Sequence, residues 1–220
     1  MDIQNLLKLA LVENDKARDR SQQTELGASS VGGCRRAAWQ IIHQKPKTNT
    51  NTESLAAIIG TALHATIAEA MSNIDPFGDD LLIEQGFKTP DLKGHVDLFV
   101  KSTKTVIDWK TTTKKKMASF PSEQQIMQVN LYGHLLEANG YEVENVALVA
   151  IPRDGRMADV KVWQAPYSPQ IANIGLDWVR ELQETLFPPA PEKSFRFCRD
   201  FCEYYNPNAQ VEGIGCAGMM

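Results

Sequence analysis

Several features are scarce in this chain, and each scarcity excludes something. No run of apolar residues is long enough to promise a bilayer crossing. The opening Met1-Asp2-Ile3-Gln4 has neither the basic flank nor the apolar centre of a secretory signal, so a cytoplasmic location is expected. A formal net charge of −4 argues against a surface coated with basic residues for indiscriminate nucleic-acid binding. There is no internal repeat and no Walker-type phosphate loop, so the chain is not read as a motor. Cysteine is sparse, with four in 220 residues, and disulfides are not expected in the cytosol. What remains is the composition of an ordinary soluble protein, large enough to bury a substantial core.

Periodicity sets out the elements. Residues 2–20 read as an amphipathic helix with Ile3, Leu6, Leu7, Ala10 and Leu11 on one stripe. A small-residue loop from Gly27 to Gly33 precedes Cys34, and Arg35 to His43 reads as a short helix. A longer helix is expected from Glu53 to Asn73, with a buried stripe of Leu55, Ile59, Leu63, Ile67 and Met71. Leu81 to Thr89 reads as a strand carrying Glu84, followed by a hairpin. Thr111 to Phe120 is polar, basic and expected to be mobile. Ser122 and Gly140 bracket a helix as N-cap and C′ residue. Two further strands, Val146 to Ile151 and Val160 to Trp163, flank the turn Arg153-Asp154-Gly155, and a last helix spans Pro169 to Leu186. This order predicts an α/β domain with a central mixed β-sheet flanked by helices.

The chemistry is expected in the hairpin. If its turn centres on Ser102-Thr103, Asp97 stands directly across from Asp108, and the strand period of two returns Lys110 to the same face. Val96, Leu98 and Val100 then share the opposite face with Thr105, Ile107 and Trp109, which should pack on helices. Two carboxylates so placed repel each other unless a cation lies between them. Their oxygen donors suit Mg²⁺ or Mn²⁺, and Lys110 is placed to orient water or offset developing charge. His64, one turn after Gly60, is a candidate third ligand, and its imidazole would favour Mn²⁺. Glu84 is read either as a residue approaching the metal or as an exposed strand acid. Gln124, Gln128 and Tyr132 form an i, i+4, i+8 stripe that either faces water or serves the site. Lys114, Lys115 and Lys116 are either a solvated run or a phosphate contact.

Cys34 stands apart from Cys198, Cys202 and Cys216, and the local Cys198-x-x-x-Cys202 spacing favours a four-thiolate site, iron–sulfur or zinc, over inert buried thiols.

Taken in order, Gly60 with His64, Gly94-His95-Val96-Asp97, Asp108-Trp109-Lys110-Thr111 and Gln128-Val129-Asn130-Leu131-Tyr132 resemble the RecB-like branch of the PD-(D/E)XK nucleases. The resemblance implies a restriction-endonuclease-like core with His64, Asp97 and Asp108 as metal ligands and Lys110 as the catalytic lysine. The Trp109 carbonyl would complete the metal shell, and Gln128 and Tyr132 would support the site and the DNA. One cysteine before the core and three after it resembles the iron–sulfur nucleases, among them AddB-like subunits and CRISPR-associated RecB-like exonucleases. Cys34, Cys198, Cys202 and Cys216 would then hold a [4Fe–4S] cluster joining the N- and C-terminal regions. The thirteen residues between Cys202 and Cys216 are a wider spacing than the family uses, and zinc stays open as the alternative. The implied organisation is a helical region over residues 1–52, a nuclease core over 53–187 and a cysteine-rich segment over 188–220, forming one folded unit. The expected function is a metal-dependent exonuclease acting on DNA ends or single strands, with Lys114–Lys116 guiding the strand and Phe120 or Tyr132 stacking on bases. Recombination, repair, phage DNA processing or CRISPR adaptation would be its setting, with a protein partner from recombination or CRISPR adaptation and no membrane. A structure-specific endonuclease and a non-catalytic zinc protein are the rival readings.

Overall fold

The computed structural model describes residues 2–16, 25–49, 55–209 and 214–219. The beginning of the expected helix at Glu53, the end of the one expected to reach residue 20, and Gly213 lie outside these residues. The chain divides into two compact units. One comprises residues 27–33 and 60–184, the other residues 1–26, 34–59 and 185–220.

The first unit is built on a five-stranded sheet in the order β1 (Leu81–Lys88), β2 (Lys93–Val100), β3 (Thr105–Thr112), β4 (Asn145–Pro152) and β5 (Lys161–Pro166). All neighbours are antiparallel except β3 and β4, which run parallel from Thr105↔Asn145 to Thr112↔Pro152. A parallel pair needs a crossover, and the helix α4 (Glu123–Ala138) supplies it. Ser122 caps α4 in a reciprocal capping box with Gln125, and Gly140 at φ +90° ends it, both as the sequence predicts. The sheet is thus mixed and flanked by helices, as expected.

The β2–β3 pairs Leu98↔Ile107, Phe99↔Val106 and Val100↔Thr105 follow the register expected from a turn at Ser102-Thr103. Below Asp97 and Asp108 the same face continues with Phe99 and Val106, both buried. The covering helix therefore differs from expectation. α4 lies over the acid-bearing face, placing Gln128 on Asp108 and Lys110, while Phe99 meets Tyr141 edge-on beyond the end of α4. Alternation makes that face apolar at one end and charged at the other, so a single helix can serve both.

Gly94 explains how closely α4 approaches β2. A Cβ there would lie 2.9 Å from Leu135 Cδ1 and 3.0 Å from Tyr132 Cε1. By contrast, a Cβ at Gly60 would meet only Thr111 Oγ1 at 3.6 Å, so no close approach demands that glycine.

The helix α3 runs Leu55–Ile74, and its residues from Gly60 onward belong to this unit. It corrects two expectations. It is long and apolar enough, by length and hydropathy, to cross a membrane. Its stripe is also not buried, since Leu63, Ile67 and Met71 are only half-buried and Leu55 and Ile59 are exposed. Alanine fills so many of its other positions that the periodic stripe does not distinguish one face from the next. The segment after β3 is ordered as well: Lys114–Ser119 forms a 3-10 turn fixed by Lys114 Nζ–Asp159 Oδ2 at 2.9 Å and by Lys114 N–H donating to Asp154 Oδ1 at 2.9 Å.

The last helix of the first unit is α5 (Pro169–Glu184); the second unit contains α1 (Ile3–Lys16), α2 (Arg35–Ile42) and α6 (Phe195–Phe201). Trp39 Nε1 donates to Thr185 O at 2.8 Å and Arg36 Nη1 to Pro189 O at 2.8 Å, so α2 is held by the chain that follows residue 184. Phe195 N–H donates to Met219 O and Met219 N–H to Lys193 O, both at 2.8 Å, closing the last stretch onto the start of α6.

Candidate active site

The site opens where the β2–β3 ladder ends. One step beyond Leu98↔Ile107, Asp97 and Asp108 are reached, and the backbone pairing stops. Trp109 N–H donates instead to Asp97 Oδ2 at 2.9 Å. A side-chain carboxylate thereby replaces a ladder carbonyl, which fixes Asp97 although it is almost wholly buried.

α3 brings His64 to the same spot. Its Nε2 lies 3.0 Å from Trp109 O, which accepts the Nε2 proton and turns Nδ1 toward the acids. Nδ1 is buried, lacks a well-formed hydrogen bond, and lies 3.5 Å from Asp97 Oδ2 and 3.6 Å from Glu84 Oε1. Asp97 first, and Glu84 second, hold the imidazole up at about 10 against the effect of burial. Two carboxylates that stabilise a positive charge at Nδ1 so strongly do so for a proton or for a metal ion. Ligand atoms of His64, Glu84 and Asp97 all lie within 4.8 Å of one another. One nitrogen and two carboxylates with an orphaned buried Nδ1 fit a divalent cation of the Mg²⁺ or Mn²⁺ type.

Glu84 reaches this cluster through its backbone. The β1–β2 pairing runs on both sides of it, Ile83↔Leu98 and Gln85↔Val96, yet Glu84 itself is at φ +47° and drops out of the ladder. A left-handed non-glycine residue costs about 1–3 kcal/mol and is found where function requires it. The structure thus places Glu84, read from the sequence as an approaching acid or a plain strand acid, beside His64 and Asp97.

Asp108 makes a second cluster. Lys110 Nζ lies 2.8 Å from Asp108 Oδ2 and donates to Oδ1 at 3.1 Å. Lys110 also donates to Gln128 Oε1 at 2.8 Å, while Gln128 Nε2 donates to Asp108 Oδ1 at 3.1 Å and to Tyr132 OH at 2.8 Å. Burial raises the Asp108 pKa, Lys110 opposes the rise, and the nearby Asp97 adds to it. Gln128 and Tyr132, one turn apart on α4, thus hold the lysine and the acid in place. Tyr132 and Phe120 are buried, which corrects the expectation that they stack on bases. Gln124 instead donates through Nε2 to Ser29 O at 3.2 Å. Lys114 is paired with Asp159, and Lys114, Lys115 and Lys116 are all exposed.

Sequence reasoning did not find the Trp109 N–H bond to Asp97 or the tight packing over Gly94. The glycine three residues before Asp97 was the available signal for the second.

In the other unit Cys34, Cys198, Cys202 and Cys216 line a single cavity, and none is in a disulfide. Cys34 caps α2, Cys198 and Cys202 are one turn apart along α6, and Gly215 at φ +71° turns the chain into Cys216. Backbone N–H groups already address two of the sulfurs: Gly218 N–H lies 3.3 Å from Cys216 Sγ, and Tyr204 N–H bonds to Cys202. Burial, with the other three cysteines adding to it, pushes the Cys198 thiol up to about 11. Among the described residues, the three-ligand grouping within 4.8 Å is the His64–Glu84–Asp97 set, and the four sulfurs ring their cavity more loosely. Four converging thiols fit a thiophilic metal centre.

Acids, an imidazole and an ammonium gathered where two strands part on a mixed sheet are the equipment of a phosphodiester-cleaving enzyme. The chain belongs to the PD-(D/E)XK nuclease superfamily, whose family model matches residues 76–206. A search among curated proteins gives no match. Among solved structures, the chain is similar in fold to the protein SSO0001, at TM-score 0.56 and 17% identity over 83% of this chain and 85% of that one. It is similar also to an alkaline exonuclease, LHK-Exo, from Laribacter hongkongensis, at TM-score 0.51 and 11% identity over 74% and 88%. A phage-related exonuclease from Haemophilus somnus 129PT aligns at TM-score 0.50 and 10% identity over 73% and 92%. Nucleases of this superfamily use divalent metals.

Proposed function

We propose that the protein is a metal-dependent DNA exonuclease acting on DNA ends or single strands, with a [4Fe–4S] cluster held by Cys34, Cys198, Cys202 and Cys216. The observation that carries the catalytic part is the unpartnered His64 Nδ1 facing Glu84 and Asp97, next to the Lys110–Asp108 pair. His64, Glu84 and Asp97 would hold a Mg²⁺ or Mn²⁺ ion, and Asp108, expected from the sequence as a ligand, pairs with Lys110. The ion, when bound, supplies activation of water and neutralisation of charge on the phosphate. Lys110, held by Gln128 and Asp108, presents its ammonium to the attacking water or the developing phosphorane charge. Tyr132 keeps the Gln128 amide turned so that its oxygen faces Lys110. Lys115 and Lys116, exposed after β3, contact the backbone of an incoming strand.

The exonuclease preference is supported by two solved neighbours of this fold, a phage-related exonuclease and an alkaline exonuclease. A cytoplasmic role in recombination, repair, phage DNA processing or CRISPR adaptation, with a partner from one of those systems, fits this activity. For the cofactor, a single tetrahedral zinc with bonds of about 2.3 Å would draw its sulfurs to about 3.8 Å from one another.

The test uses full-length protein purified without air and supplied with Mn²⁺ or Mg²⁺. Linear single-stranded DNA should be degraded while a circle of the same sequence is spared. Cutting of the circle makes the enzyme an endonuclease, and inertness on both substrates overturns the catalytic reading. A colourless protein carrying zinc removes the cluster alone.

A further inference from the structure

The cysteine cavity contains two polar groups that its protein surroundings leave unsatisfied. Gln40 is completely buried on α2 and lines the cavity. Its Oε1 accepts from Gly215 N–H at 3.3 Å, but its Nε2 is buried with no hydrogen-bond partner. Arg36, one helical turn earlier and on the same wall, donates through Nη1 to Pro189 O at 2.8 Å and through Nη2 to Gly215 O at 3.5 Å. Its Nε is likewise buried without a partner. An unsatisfied buried donor costs about 1–3 kcal/mol, more when charged, so two of them on one cavity wall need an acceptor.

We propose that Arg36 Nε and Gln40 Nε2 are hydrogen-bond donors to the sulfur atoms of the metal centre held by the four cysteines. This rests on the cofactor reading above and extends it to residues outside the thiol set. Four thiolates around a dipositive core leave a net charge of about −2. That charge must be balanced in a partly buried cavity, and the N–H groups of Gly218 and Tyr204 address only Cys216 and Cys202. Arg36 and Gln40 approach from α2, the helix that Cys34 caps. Their spacing of four puts both on one helical face, with the small Ala37 between them also lining the cavity. Glu192, the acid at the same cavity, accepts Arg35 N–H through Oε2 at 2.8 Å, while Arg36 Nε and Gln40 Nε2 have no partner. Donors to cluster sulfur stabilise the more negative, reduced state and slow loss of metal.

The experiment compares wild type with Gln40→Met, which keeps side-chain length and removes the donor. Full-length protein is purified without air, its iron and zinc are measured, and its midpoint potential is titrated. In an iron-loaded protein the variant should favour the oxidised state about tenfold more than wild type, a drop of about 59 mV for one electron. Loss of metal to a chelator should quicken about tenfold, and this readout decides alone if the metal is zinc. An unchanged potential and unchanged release overturn the assignment. Wild type holding neither metal overturns the cofactor reading itself, a distinct result. If Gln40→Met does not fold, wild type labelled with ¹⁵N at glutamine side chains replaces it. Gln40 is the glutamine at the cavity, so pulsed EPR of the reduced cluster should show a ¹⁵N coupling, and its absence overturns the proposal.

Discussion

At the residue scale the site separates into a cation seat and a lysine cradle, and the two fail differently when altered. Replacing Lys110 with Ala leaves His64, Glu84 and Asp97 untouched. The cleavage rate should therefore fall by about 100-fold or more while Mn²⁺ affinity by calorimetry stays near wild type. Glu84→Gly should do the reverse. Glycine adopts the left-handed backbone at φ +47° without steric cost, so the protein in chelator should melt no lower than wild type. Its Mn²⁺ affinity should drop about 10–100-fold. A variant that melted lower yet kept its affinity would show that Glu84 serves the fold and leaves the metal alone.

At the element scale, the tight contact of α4 on β2 and the bend after α3 carry the architecture. Gly94→Ala pushes a methyl against Leu135 and Tyr132, so it should cost about 1–3 kcal/mol in chemical denaturation. It should also lower activity, because Tyr132 orients Gln128. Beyond α3, Asp75 accepts N–H bonds from Asp79, Asp80 and Leu81 at 3.1, 3.0 and 2.7 Å, turning the chain into β1. Those bonds hold its pKa below 3.8, led by the one from Leu81. A depressed carboxylate contributes stability above its unfolded pKa and loses it as pH falls through the folded one. Asp75→Asn should therefore melt lower than wild type at neutral pH, with the gap closing below about pH 3.8. The elements themselves are readable in the sequence. Ser122 and Gly140 announce α4, and strict alternation fixes the register that pairs Phe99 with Val106. The positions of Asp97 and Lys110 follow from that register. Glu84 does not, because nothing in a glutamate signals a positive φ, and the strand pattern around it is undisturbed. The alanine-rich α3 misleads for the opposite reason: periodic leucines and isoleucines promise a buried stripe that the helix does not bury.

For the whole molecule, the two units call for separate assays. The sheet-bearing unit contains His64, Glu84, Asp97, Asp108 and Lys110, and the other contains all four cysteines. Cys198→Ser should abolish metal retention in the thiol cavity, read as lost iron or zinc and lost colour. Hydrogen exchange should then rise in α2 and α6, with β3 and β4 remaining protected. Equal loss of protection in the strands would mean that the two units unfold as one.

The cysteine-bearing unit is assembled from pieces that lie on either side of the sheet in the chain. During translation, therefore, β1 to β5 are synthesised before the last three thiols exist. Cys34 is thus made well before the three cysteines that share its cavity, and that cavity is complete only after residue 216 has been made. A chain ending early in the final stretch would contain the whole sheet and lack one wall of the cysteine cavity.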